Sequence, residues 1–405
     1  MKMKIFTFTL VLLMTPCVSA NHGKQVSQGC NAFACDIYAQ LKSEQGNLFF
    51  SPYSIYTALA MTYAGAQGIT KEEMDNVFHI ALPQDEFHSA YSALIDSLND
   101  DKTDRPFELA VANKLFVQQG YKLSFAFESI VKSNYGAAFD LVDFVNNPGG
   151  ASSAINLWVA AKTNDKINDI VAPDIFNEFT RLVLANAIYF KGKWVTQFGK
   201  DSTKKRDFYM DNQNKTEVDM MAQTGHFNYM ENKDLKMLEL PYKGDGLSMF
   251  VLLPHEIEGI KNIEAVLTQE NVQHWLSHMK SQEVIVRLPK FKMETSYRLK
   301  DNLAAMGMPS AFSKRANFRG IGAFENGFEE NNLKIDKVIH KAFIETDEEG
   351  TEAAAATVVT MMIDCAGEFE PQPKIFIADH PFMFMIQDKK TGLILFMGRF
   401  ENPDK

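Results

Sequence analysis

Two histidines stand four residues apart, His274 and His278, in a stretch that reads as a helix from Glu270 to Lys280. That spacing puts both rings on one helical face, where two imidazoles can share a divalent metal. The sequence places no third ligand. The pair therefore reads first as surface histidines and second as a zinc site, and no metal is expected. His255-Glu256 begins like a metalloprotease motif, but no second histidine follows at the required spacing. Asp364-Cys365 sets a carboxylate beside a thiol. A neighbouring negative charge raises a thiol's pKa and works against nucleophilic catalysis. There is no G-x-S-x-G elbow and no glycine-rich phosphate loop. These candidates do not assemble into an enzyme, and no cofactor is implied.

The first twenty residues stand apart from the rest. Lys2 and Lys4 make a basic start, Ile5 to Met14 a short apolar run, and Val18-Ser19-Ala20 a small-x-small cleavage signal. Residues 1–20 read as a secretory signal peptide, too short to span a bilayer. The protein is then expected outside the cell, or in the periplasm of a Gram-negative host. Residues 21–405 read as one domain, with 46% apolar and 23% charged residues over the whole chain. Removing Lys2 and Lys4 takes the formal charge from −10 to −12. That argues against nucleic acid and anionic membranes as partners. Lys204-Lys205-Arg206, a dense basic cluster, reads as a solvated turn. Removing Cys17 leaves Cys30, Cys35 and Cys365, so at least one thiol is unpaired. Cys30 and Cys35 can pair only if the backbone between them is not a regular helix.

The elements that must position any site follow from periodicity. Phe33, Ile37 and Leu41 predict a helix over Asn31 to Lys42. Ser51-Pro52 begins another, with Ile55, Leu59 and Tyr63 as its apolar face and Gly65 and Gly68 at its end. Thr70 with Glu73 predicts a capping-box start to the next. Strands are predicted over Phe107 to Gln118, Arg181 to Phe190, Glu283 to Phe291, and on both sides of Lys243-Gly244-Asp245-Gly246. Helices are predicted over Ala151 to Ile170 and Tyr297 to Met306, and closing strands over Phe376 to Phe400. Helices dominate early and strands late, without βαβ regularity, which is an α+β pattern.

Five stretches together resemble the serpin family. They are "NLFFSPYSIYTALAMTYAGAQG" (47–68), "RLVLANAIYFKGKWVTQF" (181–198), "LPKFKMETSYRLKDNLAAMGM" (288–308), "HKAFIETDEEGTEAAAAT" (340–357) and "ADHPFMFMIQDKKTGLILFMGRFENP" (378–403). They occur in family order and span nearly all of the chain beyond the leader. The resemblance implies a fold of three β-sheets with about nine helices and an exposed C-terminal reactive loop, here about 348–375. It implies a monomeric suicide inhibitor of proteases acting through that loop. It assigns the hinge to Glu348, Glu349, Gly350, Thr351, Glu352, Ala353, Ala354, Ala355 and Ala356. It assigns a polar cluster beneath the sheet opening to Ser51, Ser54, Asn186 and His340, and puts Trp194 near the top, where insertion begins. A non-inhibitory relative acting as chaperone, carrier or storage protein is the alternative.

The segment "TDEEGTEAAAATVVTMMIDCAG" (346–367) suits that role physically. Thr351, Ala353, Ala355, Thr357, Val359 and Met361 share one face of a strand, and all are uncharged. The first four are small enough to enter a packed interior. Composition alone would equally allow a solvent helix begun at Thr346 and Glu349. Family spacing puts the scissile bond at Asp364-Cys365, and "MMIDCA" resembles loops directed at caspases. An aspartate at the cut selects an Asp-specific protease with an arginine-lined pocket, caspase-like or granzyme B-like. A slip of one or two positions exposes Met362 or Ile363 instead, and favours chymotrypsin- or elastase-like enzymes.

Overall fold

Alternation decides which strands are buried on one face and which on both, and the long apolar runs near Leu182 and after Phe382 fall in the second group. The computed structural model describes residues 15–99, 107–136, 139–244, 246–324, 333–351 and 372–404. Among these are nine α-helices: α1 (Thr15–Leu41), α2 (Pro52–Tyr63), α3 (Gly68–Val77), α4 (Gln84–Asn99), α5 (Phe125–Tyr135), α6 (Pro148–Lys162), α7 (Ile260–Ala265), α8 (Gln269–Ser277) and α9 (Lys300–Met306). The strands are β1 (Leu48–Phe50), β2 (Phe107–Gln118), β3 (Tyr121–Leu123), β4 (Phe139–Val142), β5 (Leu182–Lys193), β6 (Lys204–Tyr209), β7 (Lys215–Glu231), β8 (Leu235–Pro241) and β9 (Leu247–Pro254). They continue as β10 (Lys280–Pro289), β11 (Phe291–Arg298), β12 (Gly322–Phe324), β13 (Lys337–Thr346), β14 (Gly350–Thr351), β15 (Lys374–Ile377), β16 (Phe382–Asp388) and β17 (Ile394–Phe400).

Three sheets result, as the α+β expectation requires. One runs β1-β17-β16-β9-β8-β7-β10-β15, with β6 on β7. The second runs β11-β13-β14-β5-β2-β4, and β12 pairs with β3 alone. The main core lies between the first two sheets and surrounds α2, every residue of which is buried. Ser51 caps α2 by accepting from the Ser54 N–H, and Pro52 occupies its first turn. A second core lies on the other face of the second sheet. There Ala151, Ile155 and Val159 of α6 cover Ala112, Phe116, Val183, Ala185 and Ile339.

Several boundaries depart from the sequence expectation. α1 is regular through Cys30 and Cys35, so both are free, buried thiols; burial, then Asp36 and Glu270, push Cys35 up to about 12. No capping box forms at Thr70 and Glu73. The Glu73 carboxylate accepts from the Ser310 N–H and hydroxyl, and Thr70 accepts from the Asn317 N–H. Both side chains prefer a distant partner, and α3 starts earlier, at Gly68. α6 stops at Lys162, because Asn164, Asp165 and Asp169 adopt positive φ. Tyr297 lies within β11, which runs to Arg298, instead of starting α9. Lys204-Lys205-Arg206 is the exposed start of β6, not a turn.

The C-terminal strand is anchored by Arg399. Its guanidinium lies 2.8 Å from Glu264 and 3.0 Å from Glu401, and donates to the carbonyls of Lys42, Glu44 and Gly46. Arg399 and Glu264 are both almost fully buried. Arg399→Met should therefore lower stability by about 3–5 kcal/mol, since it strands a buried carboxylate. The urea midpoint checks this, and a loss below 1 kcal/mol would contradict it.

Candidate functional site

β5 and β13 run parallel and pair from Val183–Lys337 to Tyr189–Phe343. Beyond that point the two strands part. β14 fills the fork, with Gly350 opposite Lys193, and Thr351 opposite both Gly192 and Thr346. It is antiparallel to both neighbours. Gly350 and Thr351 thus already lie in the sheet, and the solvent helix is not formed in the described residues up to Thr351. Gly350 has φ +155, and a Cβ on it would stand 2.0 Å from the Gly192 carbonyl oxygen and 2.6 Å from Lys193 Cα. Only glycine fits against that backbone. Thr351 is fully buried, with its hydroxyl 2.9 Å from Tyr242 Oη.

The approach to β14 is a turn closed on itself. The Asp347 carboxylate accepts from the N–H groups of Glu349 and Gly350, and the Asp347 N–H donates to the Gly350 carbonyl. Trp194 stacks on Tyr242 at 4.4 Å and donates from Nε1 to the Asp347 carbonyl. Its own N–H, and that of Phe198, donate to the Glu349 and Glu348 carbonyls. Two ion pairs complete the clasp. Lys290 Nζ lies 2.9 Å from Glu348, which also accepts from Thr203, and Lys200 Nζ lies 3.0 Å from Glu349. Burial raises the Glu348 carboxyl, but these hydrogen bonds outweigh it and hold the group below its ordinary range. Asp347 is shifted the other way, mainly by burial.

Midway down the seam, polar residues meet in the main core. The Ser51 N–H donates to His340 Nε2 at 3.0 Å. His340 Nδ1 therefore carries the proton and donates to the Asn186 side-chain carbonyl. Asn186 Nδ2 donates to Ser54 Oγ and to the Asn113 side-chain carbonyl. The Ser51 hydroxyl donates to the Leu395 carbonyl at 2.6 Å. The structure thus brings Ser51, Ser54, Asn186 and His340 together and puts Trp194 at the fork. Burial drives the His340 pKa from 6.5 down to about 3 and that of His88, which bonds Tyr135, to about 4.

Sequence reasoning missed Asn113, Tyr242, Asp347, Lys200, Thr203 and Lys290. Asn113 left a readable signal: Leu109, Val111, Leu115 and Val117 share its face of β2 and pack into the core. Hinge residues Glu352, Ala353, Ala354, Ala355 and Ala356, the alternatives Met362 and Ile363, and the pair Asp364 and Cys365 lie outside the described residues.

The serpin (serine protease inhibitor) family profile matches residues 28–403. An uncharacterized serpin-like protein of Thermococcus kodakarensis is 44% identical over 94% of this chain and 86% of its own. The leukocyte elastase inhibitor of Xenopus tropicalis is 38% identical over 94% and 100%. The crystal structure of Serpin48 from the insect Tenebrio molitor superposes with TM-score 0.82 at 35% identity, covering 96% of this chain and 99% of that one.

Two outcomes follow from this geometry. Gly350→Ala should expel β14, because the clash is with backbone. Trp194 then loses its cover, seen as a red-shifted tryptophan fluorescence and faster proteolysis near Glu349; an unchanged spectrum and digest would refute the fit. For His340 and His88 the folded pKa lies below the unfolded value. Their contribution is full above about pH 6.5 and falls away toward pH 3–4, by about 1.4 kcal/mol per pH unit per ring. The urea midpoint should drop between pH 6.5 and 5, and His340→Gln should flatten that slope.

Proposed function

Because the chain belongs to the serpin family, whose members are generally protease inhibitors and not enzymes, we propose that it is a suicide inhibitor whose cleaved loop enters the second sheet between β5 and β13. The observation that carries this reading is the buried, uncharged Thr351 already seated in the fork. Continued along both neighbours, its register brings Thr357 between Asn186 and His340, and Met361 opposite Leu182, the first residue of β5. The strand from Gly350 to Met361 thus matches β5 residue for residue. A scissile bond just beyond Met361 releases all of it.

The energetics favour a one-way step. Ten to twenty new backbone hydrogen bonds, at about 0.5–1.5 kcal/mol each, rival a whole domain's stability of about 5–15 kcal/mol. The uncleaved form is metastable, and cutting releases the strain. The protease is carried along while still acylated. Distortion of its oxyanion hole and base stalls deacylation.

Asp364-Cys365 is the scissile bond in this reading, and an Asp-specific protease of caspase-like or granzyme B-like pocket is the partner. The leukocyte elastase inhibitor among the relatives supports the other placement, with Met362 or Ile363 in the pocket of an elastase- or chymotrypsin-like enzyme. The protein acts as a monomer outside the cell, exported by the leader that ends at Ala20.

Incubation with a protease panel should yield a complex that survives a denaturing gel. Mass spectrometry of the released peptide locates the cut: a start at Cys365 supports Asp364, and a start at Ile363 or Asp364 moves the cut to Met362 or Ile363. Thr351→Arg should be cleaved without trapping, because insertion would bury a charge. Trapping at the parent yield by that variant would sink the insertion mechanism.

A further inference from the structure

His274 and His278 take no part in the hinge or the seam. α8 is held to the protein by the buried Val272 and Trp275, while His274 on the helix and His278 at its C-cap are both exposed. Their ring centroids are 4.2 Å apart. His278 Nδ1 lies 2.7 Å from the His274 carbonyl oxygen. A carbonyl only accepts, so Nδ1 carries the proton and Nε2 keeps its lone pair. This contact does for His278 what an outer hydrogen bond does for a metal-bound histidine: it fixes the tautomer and the ring plane. Ser277 Oγ donates to the same carbonyl and braces it.

We propose that His274 and His278 form a surface site for one divalent transition-metal ion, copper, nickel or zinc, chelated by the two imidazoles at the C-terminal end of α8. Residues at i and i+4 bring their side chains within reach of one ion. The carbonyl end of a helix carries partial negative charge and favours a cation there, as does the formal charge of −10. Among the described residues no third protein ligand joins the pair, so water fills the remaining positions and the site is open. Imidazole donors select against magnesium and calcium, which take oxygen, and the affinity order puts copper first.

The test is calorimetric titration of the chelator-treated full chain with copper, nickel and magnesium chlorides in a non-coordinating buffer. Copper should bind one per chain and more tightly than nickel, with no magnesium uptake at that site. His274→Ala and His278→Ala should each weaken copper binding at least tenfold, while His255→Ala, elsewhere on the surface, leaves it unchanged. The electron paramagnetic resonance spectrum of the copper complex should lose one nitrogen coupling in either variant. Equal helicity of the metal-free variants by circular dichroism separates loss of a ligand from loss of fold. Parent affinity in both variants, or a loss in only one of them, would overturn the chelate.

Discussion

The second sheet depends on one row of hydrogen bonds, that joining Asn113, Asn186 and His340 across β2, β5 and β13. Each of the three strands sends alternate apolar residues into the main core, and each interrupts that row with a polar residue at the same level. Ser51 and Ser54 rise from the start of α2 to meet them. Buried polar groups are tolerated here because they find one another. The bonds are made by side chains and are specific in direction. Of these bonds only that from His340 to Asn186 crosses between β5 and β13, so it is the one that the proposed insertion would have to replace.

Above this row the sheet is held open by contacts of a different kind. Gly350 fits by lacking a side chain, Thr351 by a single hydroxyl, and Asp347 by folding the turn onto itself. Lys200 and Lys290, both exposed themselves, neutralise the buried carboxylates of Glu349 and Glu348 beside Thr351. On the far face α6 covers the closed part of the seam, and Lys341 Nζ bonds the carbonyl of Asn168 in the segment that follows it. The top of the seam is thus loaded, its middle latched and its lower face covered.

The apolar alternation of Phe107 to Gln118 and the continuous run after Arg181 predicted β2 and β5 well, because burial imposes a pattern that one strand carries alone. The four cluster residues were legible through long motifs. Asn113 was legible in principle, as a polar break in an inward row. The clasp was not. Lys200, Thr203 and Lys290 look like ordinary surface residues, and their meaning depends on a turn some 60 to 150 residues away. Thr70 and Glu73 misled for the same reason, since a local cap and a distant hydrogen bond call for the same side chains.

The Ser51 hydroxyl reaches the Leu395 carbonyl across 344 residues of sequence, and Asn31 bonds Gly392 and Ile394 across 361 and 363. A ribosome adding about 5–20 residues per second needs roughly 20 to 70 seconds to make the second partner after the first. Throughout that interval the part of α2 that packs on β17, and the edge of β1 that pairs with it, lack that cover. The first sheet cannot close until synthesis is nearly complete, and until then its waiting edge invites capture by holding chaperones.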